Sequence, residues 1–136
     1  MRVRLVVVDT NVVVSGLRQP RGNPGHVLIL VRAGVIVAVY DARIFAEYAE
    51  VCARPRLTLT ADDIAQLLAD VVRVGIRVED APRAGFALPD PEDQMFLDVA
   101  LAAHADAIVT GNRRDFPDAC GARILSPAEL VPILGA

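Results

Sequence analysis

The stretch Val3-Arg4-Leu5-Val6-Val7-Val8, cut off by Asp9, constrains this chain more than any other feature. A nearly continuous β-branched run reads as a strand buried on both faces, and such strands belong to parallel sheets covered by helices. Val35–Tyr40 repeats the pattern, and Gly75–Val78, Ala107–Thr110 and Arg123–Leu125 are shorter versions of it. Helical patterns separate them. One follows Asp9, and another spans His26–Arg32 after a Pro/Gly-rich turn at Gln19–Gly25. A third runs from an Asp41 cap to about Ala53, where Pro55 stops it, and a fourth from a Thr60 cap to about Val72. A fifth starts at Asp90-Pro91 and runs to about His104, and a last one follows Ser126-Pro127. Glu79–Pro89 reads as a loop. Strands alternating with helices predict an α/β fold: a parallel sheet of about five strands covered on both faces, one domain over residues 1–136.

Composition narrows the function. With 136 residues, 54% of them hydrophobic, the chain can bury a core, and no apolar run reaches membrane-span length. The N-terminal segment meets Asp9 too early for a signal peptide. Cys52 and Cys120 are isolated and read as free thiols, so a reducing cytoplasm is expected. A net charge of -3 argues against a protein that coats nucleic acid with basic surface, but not against an enzyme whose metal ions supply positive charge. All 14 basic residues are Arg. Without Lys there is no P-loop, and acid-based phosphatases and receivers that place a Lys beside their aspartates lose support. No G-x-G-x-x-G follows the first strand, which removes the simplest dinucleotide reading.

In open parallel sheets ligands bind beyond the carboxyl ends of the strands, so the acids there are the candidates. Asp9 follows the first strand in Asp9-Thr10-Asn11, where the plainer reading is a helix cap. Glu47 falls at the border of the apolar stripe formed by Ile44, Phe45, Tyr48, Val51 and Cys52, whereas Glu50 points farther away. Asp93 projects from the face shared by Leu97, Ala100, Leu101 and His104, where an ionised carboxylate is costly unless paired or bound to metal. Capping beside Asp90 is its alternative role. Asp98 is expected on the opposite, solvent side of that helix, and His104 reads as a core histidine. Asn112 and Asp115 follow the Ala107–Thr110 strand, either as site residues or as turn residues. Carboxylates brought together repel, and a divalent cation removes that conflict. Oxygen donors without Cys or clustered His favour Mg²⁺ or Mn²⁺ over zinc. Such a site would activate water against a phosphodiester.

Three segments in order, VVVDTNVVVSGL, FAEYAEVCARPRL and DPEDQMFLDVALAAHADAIVTGNRRDF, resemble a PIN domain, and among PIN domains the VapC-type toxins of prokaryotic toxin–antitoxin pairs. The resemblance spans nearly the whole chain. It implies a PIN-like fold and a ribonuclease that is inhibited by an antitoxin protein and often forms a homodimer. Its metal-binding acids map onto Asp9, Glu47 and Asp93. A fourth family acid falls on Asn112, a neutral departure that weakens the case for a second metal unless Asp115 compensates. Thr10 and Thr110 match the hydroxyl-bearing neighbours of the acids, with Asn11 beside them. RNA as substrate follows from the resemblance; the carboxylates alone say phosphodiester. The alternatives are a structure-directed DNA nuclease and a catalytically silent PIN-like binding module. Arg54, Arg56, Arg113 and Arg114 are candidate phosphate contacts, read first as solvated surface arginines.

Overall fold

The computed structural model describes residues 2–135. Five strands form one all-parallel sheet: β1 Leu5–Val8, β2 Val37–Tyr40, β3 Ile76–Arg77, β4 Ala107–Val109 and β5 Ile124–Leu125. Six helices accompany them: α1 Thr10–Arg18, α2 Asn23–Arg32, α3 Ala42–Cys52, α4 Ala61–Val74, α5 Gln94–Ala102 and α6 Pro127–Ile133. The predicted elements are all present, with most ends shifted by a residue or two; α2 starts three residues earlier than expected, at Asn23 inside the segment read as a turn, and α4 runs on to Val74. Val35, expected in the second strand, lies before it and is exposed.

Sheet order is β3-β2-β1-β4-β5. The chain steps from β1 outward to β3, then returns to lay β4 on the other side of β1. The strand order therefore reverses between β1 and β4, the position where open α/β sheets leave a ligand crevice. Val6, Val7 and Val8 are fully or almost fully buried, and Ile108 and Val109 beside them show no exposure, as a two-faced central strand requires. Helix α2 packs against α1, α4 and α6, and α3 against α1 and α4, while α5 lies against β1, β2 and β4.

Local signals set the helix starts. Asp41 Oδ1 accepts the Ile44 N–H at 3.0 Å, and Thr60 Oγ1 accepts the Asp63 N–H at 3.1 Å. Ser126 and Glu129 form a full capping box at α6.

The segment expected as one helix from Asp90 divides instead. A 3₁₀ turn covers Pro91–Asp93, α5 follows, and the helix ends at Ala102. His104 lies beyond that end with φ 53° and is exposed, so it is not a core histidine. The expectation for Asp98 also fails. It is 3% exposed, because the loop after β3 lies over the side of α5 that was assigned to solvent. The Ala84 N–H donates to Asp98 Oδ1 at 2.8 Å, and Gln94 ties the same loop through the Leu88 N–H and the Phe86 carbonyl, both at 2.9 Å. Phe96 through Ala100 are consequently five consecutive buried residues.

Candidate active site

Asp9 leaves the carboxyl end of β1 and its N–H donates to the Val109 carbonyl at 2.9 Å, extending the β1–β4 pairing into the crevice. It occupies the N-cap position of α1 but its side chain makes no capping bond. Instead the carboxylate turns across the strand reversal. Thr110 Oγ1 donates to Asp9 Oδ2 at 2.8 Å, and Asn11 Nδ2 donates to the same oxygen at 3.3 Å. Asn11 Oδ1 accepts the Gly111 N–H at 3.0 Å, and Thr110 Oγ1 accepts the Asn112 N–H at 3.0 Å. The two strand ends are thus fastened through the side chains of Asp9, Asn11 and Thr110.

Glu47 enters from α3. It is half-buried and accepts a hydrogen bond from the Thr10 hydroxyl. One residue on, the buried Tyr48 hydroxyl donates to the Val8 carbonyl, so α3 is pinned to the last residue of β1. Burial, with the charges of Asp9 and Glu47 beside it, pushes the Tyr48 phenol well above its ordinary value, so it stays a neutral donor. Glu50 is exposed and pairs with Arg54 at 3.0 Å, as expected for a solvated acid.

Asp93 ends the 3₁₀ turn before α5 and is half-buried. Capping there belongs to Asp90, whose Oδ1 accepts the Glu92 N–H at 2.9 Å; Asp93 makes no side-chain cap bond. Burial raises the Asp93 carboxyl to about 7, and the charges of Asp9, Asp115, Asp90 and Glu47 push the same way. Asp9 is raised to about 6, again by burial first; the Thr110 hydrogen bond opposes that shift, and Glu47 and Asp115 add to it. Asp9, Glu47, Asp93 and Asp115 therefore share one electrostatic neighbourhood. Asn112 is exposed, and the 3₁₀ turn Arg113–Asp115 carries Asp115 back toward the acids.

Among the described residues, no three His, Cys, Asp or Glu side chains are gathered closely enough to clasp a metal ion. The acids thus share a neighbourhood without coordinating distances between them. The donor chemistry itself fits a hard divalent cation: all the donors are oxygens, carried on four separate segments, and two of the acids are held above the usual carboxylate range by burial and mutual charge.

Sequence reasoning missed Tyr48, read only as part of an apolar stripe, and Arg43. The Arg43 Nε donates to Asp41 Oδ2 at 2.8 Å and its NH1 to Asp98 Oδ2 at 3.4 Å. The available signal was the spacing of Arg43, Glu47 and Glu50 at i, i+4 and i+7, one polar stripe along α3.

The fold is a parallel α/β sheet with acids at its strand reversal, and comparison with known proteins gives the family. The PIN domain family model matches residues 5–114, a span that includes Asp9, Glu47, Asp93 and Asn112 and stops one residue before Asp115. An uncharacterized protein of Methanocaldococcus jannaschii is 31% identical over 112 residues, covering 79% of this chain and 70% of that protein. The chain belongs to the PIN domain family. PIN domains are typically metal-dependent nucleases acting on nucleic acid. Among the described residues no helix is long and apolar enough to cross a membrane.

Proposed function

We propose that this chain is an Mg²⁺- or Mn²⁺-dependent endoribonuclease and the toxin of a toxin–antitoxin pair, with Asp9, Glu47 and Asp93 as its metal-holding acids. The observation that carries the metal site is the electrostatic coupling of Asp9 and Asp93 to each other, to Glu47 and to Asp115 at the β1–β4 reversal. Asp115 is the better fourth acid than Asn112, because its charge is felt at both Asp9 and Asp93. RNA, rather than DNA, and the antitoxin partner rest on the likeness of the three sequence segments to VapC-type toxins.

A bound divalent cation would relieve the repulsion among the carboxylates, lower the pKa of water and take up charge on a phosphoryl oxygen. The chain's own residues prepare that site. Thr110 and Asn11 fix the rotamer of Asp9, Thr10 fixes Glu47, and Tyr48 fixes the spacing of α3 from β1. Burial keeps the carboxylates from being dispersed by water, which preserves their affinity for a cation.

The test is cleavage of mixed single-stranded RNA oligonucleotides with Mn²⁺, with Mg²⁺ and with EDTA, run beside a flap DNA. Cleavage of RNA that EDTA abolishes supports the reading. Cleavage of the flap alone would assign a DNA nuclease, and no cleavage of either with both metals would assign a silent PIN-like module. Co-expression with the product of an adjacent gene that suppresses the activity tests the antitoxin partner.

A further inference from the structure

A recess of about 510 Å³ opens at the amino edge of the sheet, the opposite edge from Asp9. Arg2 reaches it from before β1, Asp106 from before β4 and Arg123 from before β5, and His104 lines it from beyond the end of α5. Leu101, Ala105 and Ala122 give it an apolar side.

We propose that this recess binds the phosphate group of a small organic molecule, with Arg123, Arg2 and His104 as its partners. The site lies apart from the acids and is independent of the nuclease reading.

The first support is Arg123. Its Nη1 is buried and has no hydrogen-bond acceptor among the described residues. A guanidinium nitrogen shut away from water without an acceptor is costly, and a phosphate oxygen is the acceptor its planar fork fits best. Neither Arg2 nor Arg123 makes an ion pair among the described residues, whereas Arg54 and Arg113, flagged from sequence, are taken by Glu50 and Glu129. The carboxylate lining the recess is committed to the backbone. Asp106 Oδ2 accepts the Arg4 and Leu5 N–H groups, both at 2.8 Å, and these bonds hold its carboxyl below the usual range. Two guanidiniums thus stand against one acid in a chain whose net charge is -3.

The second support is the backbone at His104. Its φ of 53° is the left-handed conformation that closes a helix and ordinarily falls to glycine. The turn closes through its main chain, with the Ala105 N–H donating to the Ala100 carbonyl at 2.9 Å and the His104 N–H to that of Leu101 at 3.3 Å. A side chain here strains the backbone without being needed by the turn, and such strain gathers at ligand sites. The imidazole is exposed along the recess, where it adds a ring N–H donor to those of the arginines. The recess is larger than a phosphate alone requires, and its apolar side faces the organic remainder.

The experiment follows amide NMR spectra of the full chain in EDTA at constant ionic strength, titrated with inorganic phosphate, adenosine monophosphate and glycerol phosphate. EDTA keeps metal from the acids, so that phosphate is not drawn there. Amides of His104–Asp106 and Gly121–Arg123 should shift saturably with phosphate, and at lower concentration with the organic phosphates. Arg123→Gln should weaken phosphate binding at least about 10-fold, the scale of one hydrogen bond to a charged group, and Arg2→Gln about 3- to 10-fold. Arg18→Gln, at the far end of α1, should change it less than about 2-fold. His104→Gly should weaken binding yet melt no lower than the wild type, which a merely structural histidine would not do. Should Arg123→Gln fail to fold, Arg2→Gln and His104→Gly carry the test. The absence of a saturable shift with phosphate overturns the proposal, as do shifts that survive in an Arg2→Gln/Arg123→Gln protein. Citrate bound in place of phosphate overturns phosphate as the occupant. RNA cleavage by Arg2→Gln should stay within about 2-fold of wild type, so the recess and the nuclease reading fail separately.

Discussion

Replacing Asp9 with Asn should make the metal-free protein more stable at neutral pH, and the structure sets the size of the effect. Burial and neighbouring charge raise the Asp9 carboxyl from 3.8 to about 6. Each unit corresponds to about 1.4 kcal/mol, so keeping Asp9 ionised in the fold costs roughly 3 kcal/mol at pH 8. Asn keeps the shape and still accepts from Thr110, but buries an amide at a cost of roughly 1 kcal/mol. The net gain is about 2 kcal/mol, or roughly 5–10 °C in Tm for a domain of this size. The sign with pH follows from the raised folded-state value. The wild type has its full stability below 3.8 and loses it as pH rises through about 6. The variant should therefore be less stable than the wild type by roughly 1 kcal/mol at pH 3.5, draw level near pH 4.5 and be more stable by about 2 kcal/mol above pH 7. Thermal unfolding followed by circular dichroism in EDTA across that range measures it. Mn²⁺ should then raise the wild-type Tm more than that of Asp9→Asn, since stabilisation follows affinity for the folded state. Equal melting temperatures at pH 8, or a gap that widens toward acid, would refute the account of Asp9 as a strained, metal-directed carboxylate.

Glu47→Gln and Asp93→Asn should each cost at least about 100-fold in cleavage, while Glu50→Gln should stay within about threefold, read from initial rates on one RNA substrate. Asp115→Asn should raise the Mg²⁺ concentration for half-maximal cleavage and Asn112→Asp should lower it; an unchanged midpoint for Asp115→Asn removes that residue from the site. Asp98→Asn is expected to lose roughly 1–3 kcal/mol in urea unfolding, because it weakens a buried carboxylate's bonds to Arg43 and the Ala84 N–H. A urea midpoint equal to that of the wild type would show that those bonds do not hold the loop.

The sheet was legible because its signals are local. The Val6-Val7-Val8 run, the caps at Asp41, Thr60 and Ser126, and the stop at Pro55 each act within a few residues, and each appears where the pattern put it. The position of Asp9 was legible for a second reason: a parallel sheet has only one carboxyl edge, so an acid directly after a buried strand must emerge there. Which side of Asp9 meets Thr110 is a different kind of fact. Residues 9 and 110 meet only because β4 returns to the far side of β1, and periodicity contains no record of strand order. The same holds for the Tyr48 hydroxyl, which had to find an acceptor once buried but could not be assigned the Val8 carbonyl in advance.

The errors at Asp98 and His104 have a shared origin in the helical wheel, which ranks faces by apolarity and assumes that the least apolar one meets water. On α5 that assumption breaks twice. The helix stops at Ala102, so the wheel was carried past its end and put His104 on a face that no longer exists. Before that end, the loop after β3 covers the outer side, and its backbone N–H groups at Ala84 and Leu88 had to find acceptors. Asp98 and Gln94 are those acceptors. An acid on the polar side of a helix can thus be buried for the sake of a loop's backbone. Once buried, its remaining oxygen selects a cation, and Arg43 on α3 supplies it. The helix bearing Glu47 and the helix that Asp93 leads into are consequently joined by an ion pair lying outside the acid site. That link depends on the loop after β3 as well as on the two helices, a dependence that no single helix in the sequence could display.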